Sequence, residues 1–99
     1  MTDHQVTAII PVFNDRRSLE PAIPRSVETL SLITEQFELI VAEDGSTDGS
    51  ASLVQEYEQK DSRVRLLHSD ERLGRGKALY RAISESRGTF VCYYDFYLE

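Results

Sequence analysis

The sequence predicts an α/β fold: a parallel β-sheet with flanking helices. Three observations predict it. Short apolar, β-rich runs alternate with segments of helical periodicity, in the order β-α-β-α-β-α-β. Each run is closed by turn-forming residues. The main runs are apolar almost throughout, as in strands buried on both faces, rather than alternating apolar and polar.

The first strand is read in Val6-Thr7-Ala8-Ile9-Ile10-Pro11-Val12-Phe13, closed by Asn14-Asp15. A helical segment follows. Ser18 is a suitable cap, and Val27, Leu30 and Ile33 recur at helical spacing. Pro24 lacks a backbone donor and is expected to kink or restart this helix. The second strand is Phe37-Glu38-Leu39-Ile40-Val41-Ala42, ended by Glu43-Asp44-Gly45-Ser46. Ser50 to Lys60 reads as a helix with Leu53, Val54 and Tyr57 on one stripe. Val64-Arg65-Leu66-Leu67-His68 is a third, more polar strand. In the helix over Gly76 to Ser86, Leu79, Tyr80 and Ile83 form the expected apolar stripe, with Arg87-Gly88 as a basic last turn and glycine stop. The fourth strand runs from Thr89 to Tyr94, and Cys92 within it is expected to be a buried core thiol.

Composition narrows the function classes. At 99 residues the chain holds one domain at most, and 40% apolar with 28% charged residues suits a folded globular protein. The net charge is −6, and nine of the eleven basic residues are Arg, leaving only Lys60 and Lys77. Nucleic-acid affinity comes largely from basic side chains neutralising phosphates, so no nucleic-acid partner is expected. One cysteine excludes an internal disulfide, and His4 and His68 show no zinc-ligand spacing. No apolar run is long enough for a membrane span, and the start does not read as a secretory signal. The expected location is cytoplasmic, or the cytoplasmic face of a membrane for a longer protein. Leu98-Glu99 reads as a cloning scar, so residues 1–97 are expected to be the native part of a domain cut after a core strand.

In parallel α/β sheets ligands bind outside the carboxyl ends of the strands. Glu43 and Asp44 leave the second strand together. Gly45 to Ser50 is explained by turn and cap chemistry alone, whereas paired acids repel and would be justified by a ligand offering N–H donors. Phe13 at the end of the first strand either packs in the core or stacks on a base. Arg72-Leu73-Gly74-Arg75-Gly76-Lys77 is a basic helix start. It suits a diphosphate but lacks Walker A spacing, and on its own it also reads as a solvated basic turn. Asp95 at the end of the fourth strand is a metal or sugar ligand, or a turn residue.

Taken together these pieces resemble the inverting glycosyltransferases of family 2. Ile10-Pro11-Val12-Phe13-Asn14-Asp15 is similar to the family's Pro-x-Tyr-Asn-Glu, and Glu43-Asp44-Gly45-Ser46-Thr47-Asp48-Gly49-Ser50 to its Asp-Asp-Gly-Ser-Thr-Asp-Gly-Ser/Thr. Leu73-Gly74-Arg75-Gly76-Lys77-Ala78 is similar to its Asn-x-Gly-x-Gly-x-Ala segment, and Tyr94-Asp95-Phe96-Tyr97-Leu98 stands where it has Asp-x-Asp. The resemblance covers nearly the whole chain. It implies the Rossmann-like N-terminal half of a GT-A fold and a UDP- or GDP-sugar donor. The implied donor-binding residues are Pro11, Phe13, Asp15, Glu43, Asp44, Arg75, Lys77 and Asp95. Asp44 would bond the base, Phe13 would line or stack on it, Asp15 would stand near it, and Arg75 and Lys77 would lie near the diphosphate. A divalent metal, Mg or Mn, is implied for the complete enzyme, with Asp95 at its site. Tyr97 replaces the second Asp, and a phenol is a poor ligand for a hard cation, so weak metal dependence is expected here.

The region from Arg72 to Ala78 looks most like the polyprenyl (dolichyl) phosphate sugar synthases, which implies a lipid-phosphate acceptor. No catalytic base is identified. The expectation is therefore a donor-binding fragment, inactive alone and self-associating through an unfinished sheet edge. Two rival readings are a non-catalytic nucleotide-binding module, which Tyr97 favours, and a phosphoacceptor domain. The latter is opposed by an acidic cluster after the second strand rather than the first.

Overall fold

A computed structural model of the chain describes residues 4–93. Within them the expected order is found: β1 (His4–Val12), α1 (Arg16–Ile33), β2 (Phe37–Asp44), α2 (Ser50–Lys60), β3 (Val64–Ser69), α3 (Arg75–Glu85) and β4 (Gly88–Tyr93). The strands form one parallel sheet in the order β3-β2-β1-β4. The chain walks outward from β1 to β3, and α3 then returns it to β4 on the other side of β1. The order reverses between β1 and β4, where open α/β sheets leave a crevice at the carboxyl ends of the strands.

Strand alternation sorts the core into two layers. Ala8, Ile10, Val12, Phe37, Leu39, Val41 and Val64 pack against Leu19, Ile23 and Leu30 of α1 and Leu53 and Val54 of α2. Ile9, Ile40 and Ala42 pack against Ala82 of α3 on the opposite face. β2 is buried along its whole length, which explains its uninterrupted apolar run. Each fully buried Ile or Leu here stabilises by about 2 kcal/mol, so the larger layer under α1 and α2 carries most of the hydrophobic stabilisation.

Several local expectations are corrected. α1 runs unbroken through Pro21 and Pro24. Both prolines are exposed, so the carbonyls they leave unbonded face water while Leu19, Ile23, Ser26 and Leu30 hold the helix on the sheet. Ser18 is not its cap. The helix starts after Asp15, because Asp48 of the next loop accepts the Arg16 N–H at 2.9 Å. In α3 the buried residues are Ala78 and Ala82, with Leu79 partly buried, whereas Tyr80 and Ile83 are exposed. Small side chains let this helix lie close to β1 and β2.

The end of α3 and the fourth strand also differ from expectation. Ser86, not Gly88, caps α3, its N–H bonding the Ile83 carbonyl. Gly88 begins β4, and a Cβ there would lie 2.5 Å from the Thr7 nitrogen and hydroxyl. Its glycine is needed for close approach to β1. β4 is the edge of the described sheet, with Phe90, Val91, Cys92 and Tyr93 exposed, so Cys92 is not the buried thiol expected. Among the described residues β4 pairs only with β1, and the described helices pack on the other three strands.

Candidate functional site

The loops at the carboxyl ends of β1 and β2 are tied to one another. Asn14 adopts a left-handed backbone, φ 48°, a conformation Asn tolerates better than most residues. Its N–H donates to the Ser46 hydroxyl at 2.9 Å, and its side-chain oxygen accepts the Thr47 N–H at 2.7 Å. Asp48 accepts from Arg16 on one oxygen and from the N–H and hydroxyl of Ser50 on the other. The Gly-Ser-Thr-Asp-Gly-Ser segment is thus a connector that seats the first turns of α1 and α2.

Glu43 and Asp44 do not face each other, because consecutive strand residues point to opposite faces. Glu43 is buried beneath the α1/α2 side, where it accepts the Ser46 N–H and pairs with His68 Nδ1. His68 Nε2 pairs with Asp70 at 2.7 Å. The Glu43 bond, then the Asp70 bond, raises the His68 pKa above its ordinary value of 6.5, against the opposing effect of burial. Sequence spacing shows no such cluster, because Glu43 and His68 meet only through the register of β2 on β3.

Asp44 points to the α3 side and is 4% exposed. It accepts the Leu73 N–H at 2.6 Å and the Gly74 N–H at 3.1 Å, one on each oxygen. Gly45, φ 73°, lets the loop before α3 come close, since a Cβ there would sit 2.8 Å from the Arg72 nitrogen. The Arg72 guanidinium lies over the Phe13 ring, 3.7 Å from its centre, with Nε 3.9 Å from Asp44. A pocket of about 150 Å³ opens here, lined by Pro11, Val12, Phe13, Asp44, Arg72, Arg75 and Ala78. It combines an aromatic ring, one buried carboxylate and two guanidinium groups beside the start of α3, a combination suited to a planar polar group joined to an anion.

Of the residues singled out from sequence, Pro11, Phe13, Asp44 and Arg75 meet in this pocket. Glu43, Asp15 and Lys77 do not line it. The Glu43 side chain is committed to Ser46 and His68. Asp15 sits at the α1 start with one buried carboxylate oxygen lacking a hydrogen-bond partner, and Lys77 is exposed on the first turn of α3. Asp95 and Tyr97 lie outside the described residues. Sequence reasoning missed Arg72 as a lining residue, although the basic run containing it was evident. Among the described residues no group of three His, Cys, Asp or Glu could hold a metal ion. Among the described residues the one acid lining the pocket, Asp44, already accepts two N–H groups. No described helix is long and apolar enough to cross a membrane.

Residues 7–95 match the family model for glycosyl transferase family 2. The chain belongs to glycosyltransferase family 2. It is 41% identical over 93 residues to glycosyltransferase AglD of Haloferax volcanii, covering 92% of this chain and 15% of that protein. It is 29% identical over 94 residues to a dolichyl-phosphate beta-glucosyltransferase of Trichomonas vaginalis, covering 90% of this chain and 28% of that one. A solved mannosyltransferase from Pyrobaculum calidifontis, in complex with GDP-Man and Mn2+, matches with a TM-score of 0.72 at 23% identity, over 93% of this chain and 27% of that chain. The family membership and the parallel α/β fold read from sequence are thereby both established. The chain spans 28% of the length of the Trichomonas protein, 27% of the Pyrobaculum chain and 15% of the Haloferax protein.

Proposed function

We propose that this chain binds the nucleotide of a UDP- or GDP-sugar, as the donor part of an inverting hexosyltransferase. The observation that carries the reading is the meeting of Phe13, Asp44 and Arg75, from three distant segments, in one pocket at the carboxyl ends of β1 and β2. In this reading the base lies against Phe13 and Pro11. Asp44 accepts a base N–H with the lone pairs that Leu73 and Gly74 leave unused, a carboxylate offering about four acceptor sites. Arg75, Lys77 and the N-terminal end of α3, with its helix dipole, face the diphosphate. Glu43 positions the Gly45–Ser46 turn, and Asp15 supports the loop beside the base.

In the longer protein an acceptor oxygen would attack the anomeric carbon. The bond from that carbon to the diphosphate oxygen breaks, and its electron pair leaves with the nucleoside diphosphate. A polyprenyl phosphate is the proposed acceptor, supported by relatives named dolichyl-phosphate and undecaprenyl-phosphate transferases. Such an acceptor is already anionic and needs little help from a base. With such an acceptor the reaction would occur at a membrane surface, and the cytoplasmic face is the proposed side. A divalent ion of the kind the solved mannosyltransferase contains would neutralise the leaving diphosphate, and Asp95 is its proposed ligand. Asp95 lies outside the described residues, and the role proposed for the described ones is donor binding.

The test is titration of the chain with UDP and GDP, followed by NMR shift mapping, with Mn²⁺ and then EDTA. Shifts centred on Phe13, Asp44 and Arg75 are expected, with little dependence on Mn²⁺ because of Tyr97. Shifts centred elsewhere, or no binding of either nucleotide, would refute the assignment.

A further inference from the structure

The pocket as it stands is too small for the ligand assigned to it. At about 150 Å³ it falls below the roughly 300–1,000 Å³ of sites that enclose small molecules. Arg72 takes up part of the site, because its guanidinium covers the Phe13 face that a base would use. The backbone beneath it is fixed, with Leu73 and Gly74 bonded to Asp44 and residues 71–72 pressed against Gly45. The side chain is held far less firmly. It is half exposed, and its nearest acid among the described residues, Asp44, is 3.9 Å away. A change of Arg72 rotamer therefore requires no movement of the loop that carries it.

We propose that Arg72 makes base binding conditional on phosphate: its guanidinium covers Phe13 in the free protein and leaves that ring only for a ligand whose phosphate it then pairs with. This rests on the donor-site reading above. A nucleoside without phosphate must displace a planar cation from an aromatic face and offers nothing in return. A nucleoside diphosphate offers phosphate oxygens, which a guanidinium grips in a bidentate fork. Arg75 lines the same pocket, so the released Arg72 joins a second guanidinium beside the start of α3. Arg72 would then be a specificity residue that separates nucleotides from nucleosides.

The experiment compares uridine with UDP, and guanosine with GDP, on wild type, Arg72→Ala and Arg72→Lys by calorimetric titration. Arg72→Ala is expected to tighten nucleoside binding about five- to tenfold, the scale of losing one guanidinium–ring stack, and to weaken diphosphate binding. The diphosphate-to-nucleoside preference then collapses. Arg72→Lys keeps the charge without the planar stack, so it should gain nucleoside affinity and keep most of its diphosphate affinity. NMR gives a second readout: Arg72 Hε should be shifted upfield by the Phe13 ring in the free protein and lose that shift on adding UDP or GDP. If wild type binds a diphosphate while Arg72→Ala leaves nucleoside binding unchanged or weaker, the gate is overturned and the donor site stands. If Arg72 Hε keeps its shift in the complex, the gate is likewise overturned. If neither wild type nor variants bind any nucleotide, both readings fall.

Discussion

Asp44→Ala should damage the protein in two separable ways. Asp44 is 4% exposed and accepts two backbone N–H groups from the loop that leads into α3. Hydrogen bonds to a charged group contribute about 1.5–3 kcal/mol each, so two give roughly 3–6 kcal/mol. Leu73 and Gly74 are only half-buried, so water can reach their amides after truncation. That favours the lower end, about 3 kcal/mol. For a domain this size each kcal/mol moves Tm by about 4–8 °C, which predicts a fall of roughly 12–24 °C. A 99-residue domain is stable by about 5–15 kcal/mol, so the variant should still fold. Urea unfolding followed by circular dichroism measures the loss, and hydrogen exchange at Leu73 and Gly74 locates it. Asp44→Asn keeps one acceptor and should lose about half as much stability. Both variants should lose UDP and GDP binding in the proposed site. A Tm change below about 4 °C with unchanged exchange at Leu73 and Gly74 would refute the claim that Asp44 organises this loop.

Three further outcomes are expected. Gly88→Ala should destabilise the chain by about 1–3 kcal/mol, seen as a lower urea midpoint and faster exchange along β4, because its Cβ would press on Thr7 2.5 Å away; an unchanged midpoint would mean that β4 shifts freely along β1. The folded state raises the His68 pKa above 6.5, so the stability gained from protonated His68 is complete below that pH and declines as pH rises through the folded value. Urea unfolding at pH 6 and pH 9 should show this loss in wild type and a smaller one in His68→Gln, and equal losses would argue against the Glu43–His68–Asp70 pairing. The exposed edge at β4, with Phe90 71% and Tyr93 56% exposed, should make the chain self-associate, as light scattering after size-exclusion would show, and Phe90→Lys should favour monomer; a concentrated wild-type monomer would refute this.

The sequence alone determined the element order, since apolar runs broken by Asn-Asp, Asp-Gly and helical stripes leave few alternatives to a parallel α/β sheet. It also pointed to Phe13, Asp44 and Arg75, because residues at strand ends and helix starts are where such sheets expose polar chemistry. Which faces those residues take was decided only by tertiary structure. Adjacent Glu43 and Asp44 read as one acidic pair, yet the pleat sends Glu43 to His68 and Asp44 to the α3 loop. Arg72 looked like one more basic turn residue, and only the close approach at Gly45 lays it over Phe13. Tyr80, Ile83 and Cys92 have the apolar character of core residues but lie exposed, since burial depends on which neighbour covers a face and β4 is the edge of the described sheet. Local pattern encodes what each segment becomes, whereas contacts across 25 or more residues arise from strand register and helix placement, which no single stretch of sequence specifies.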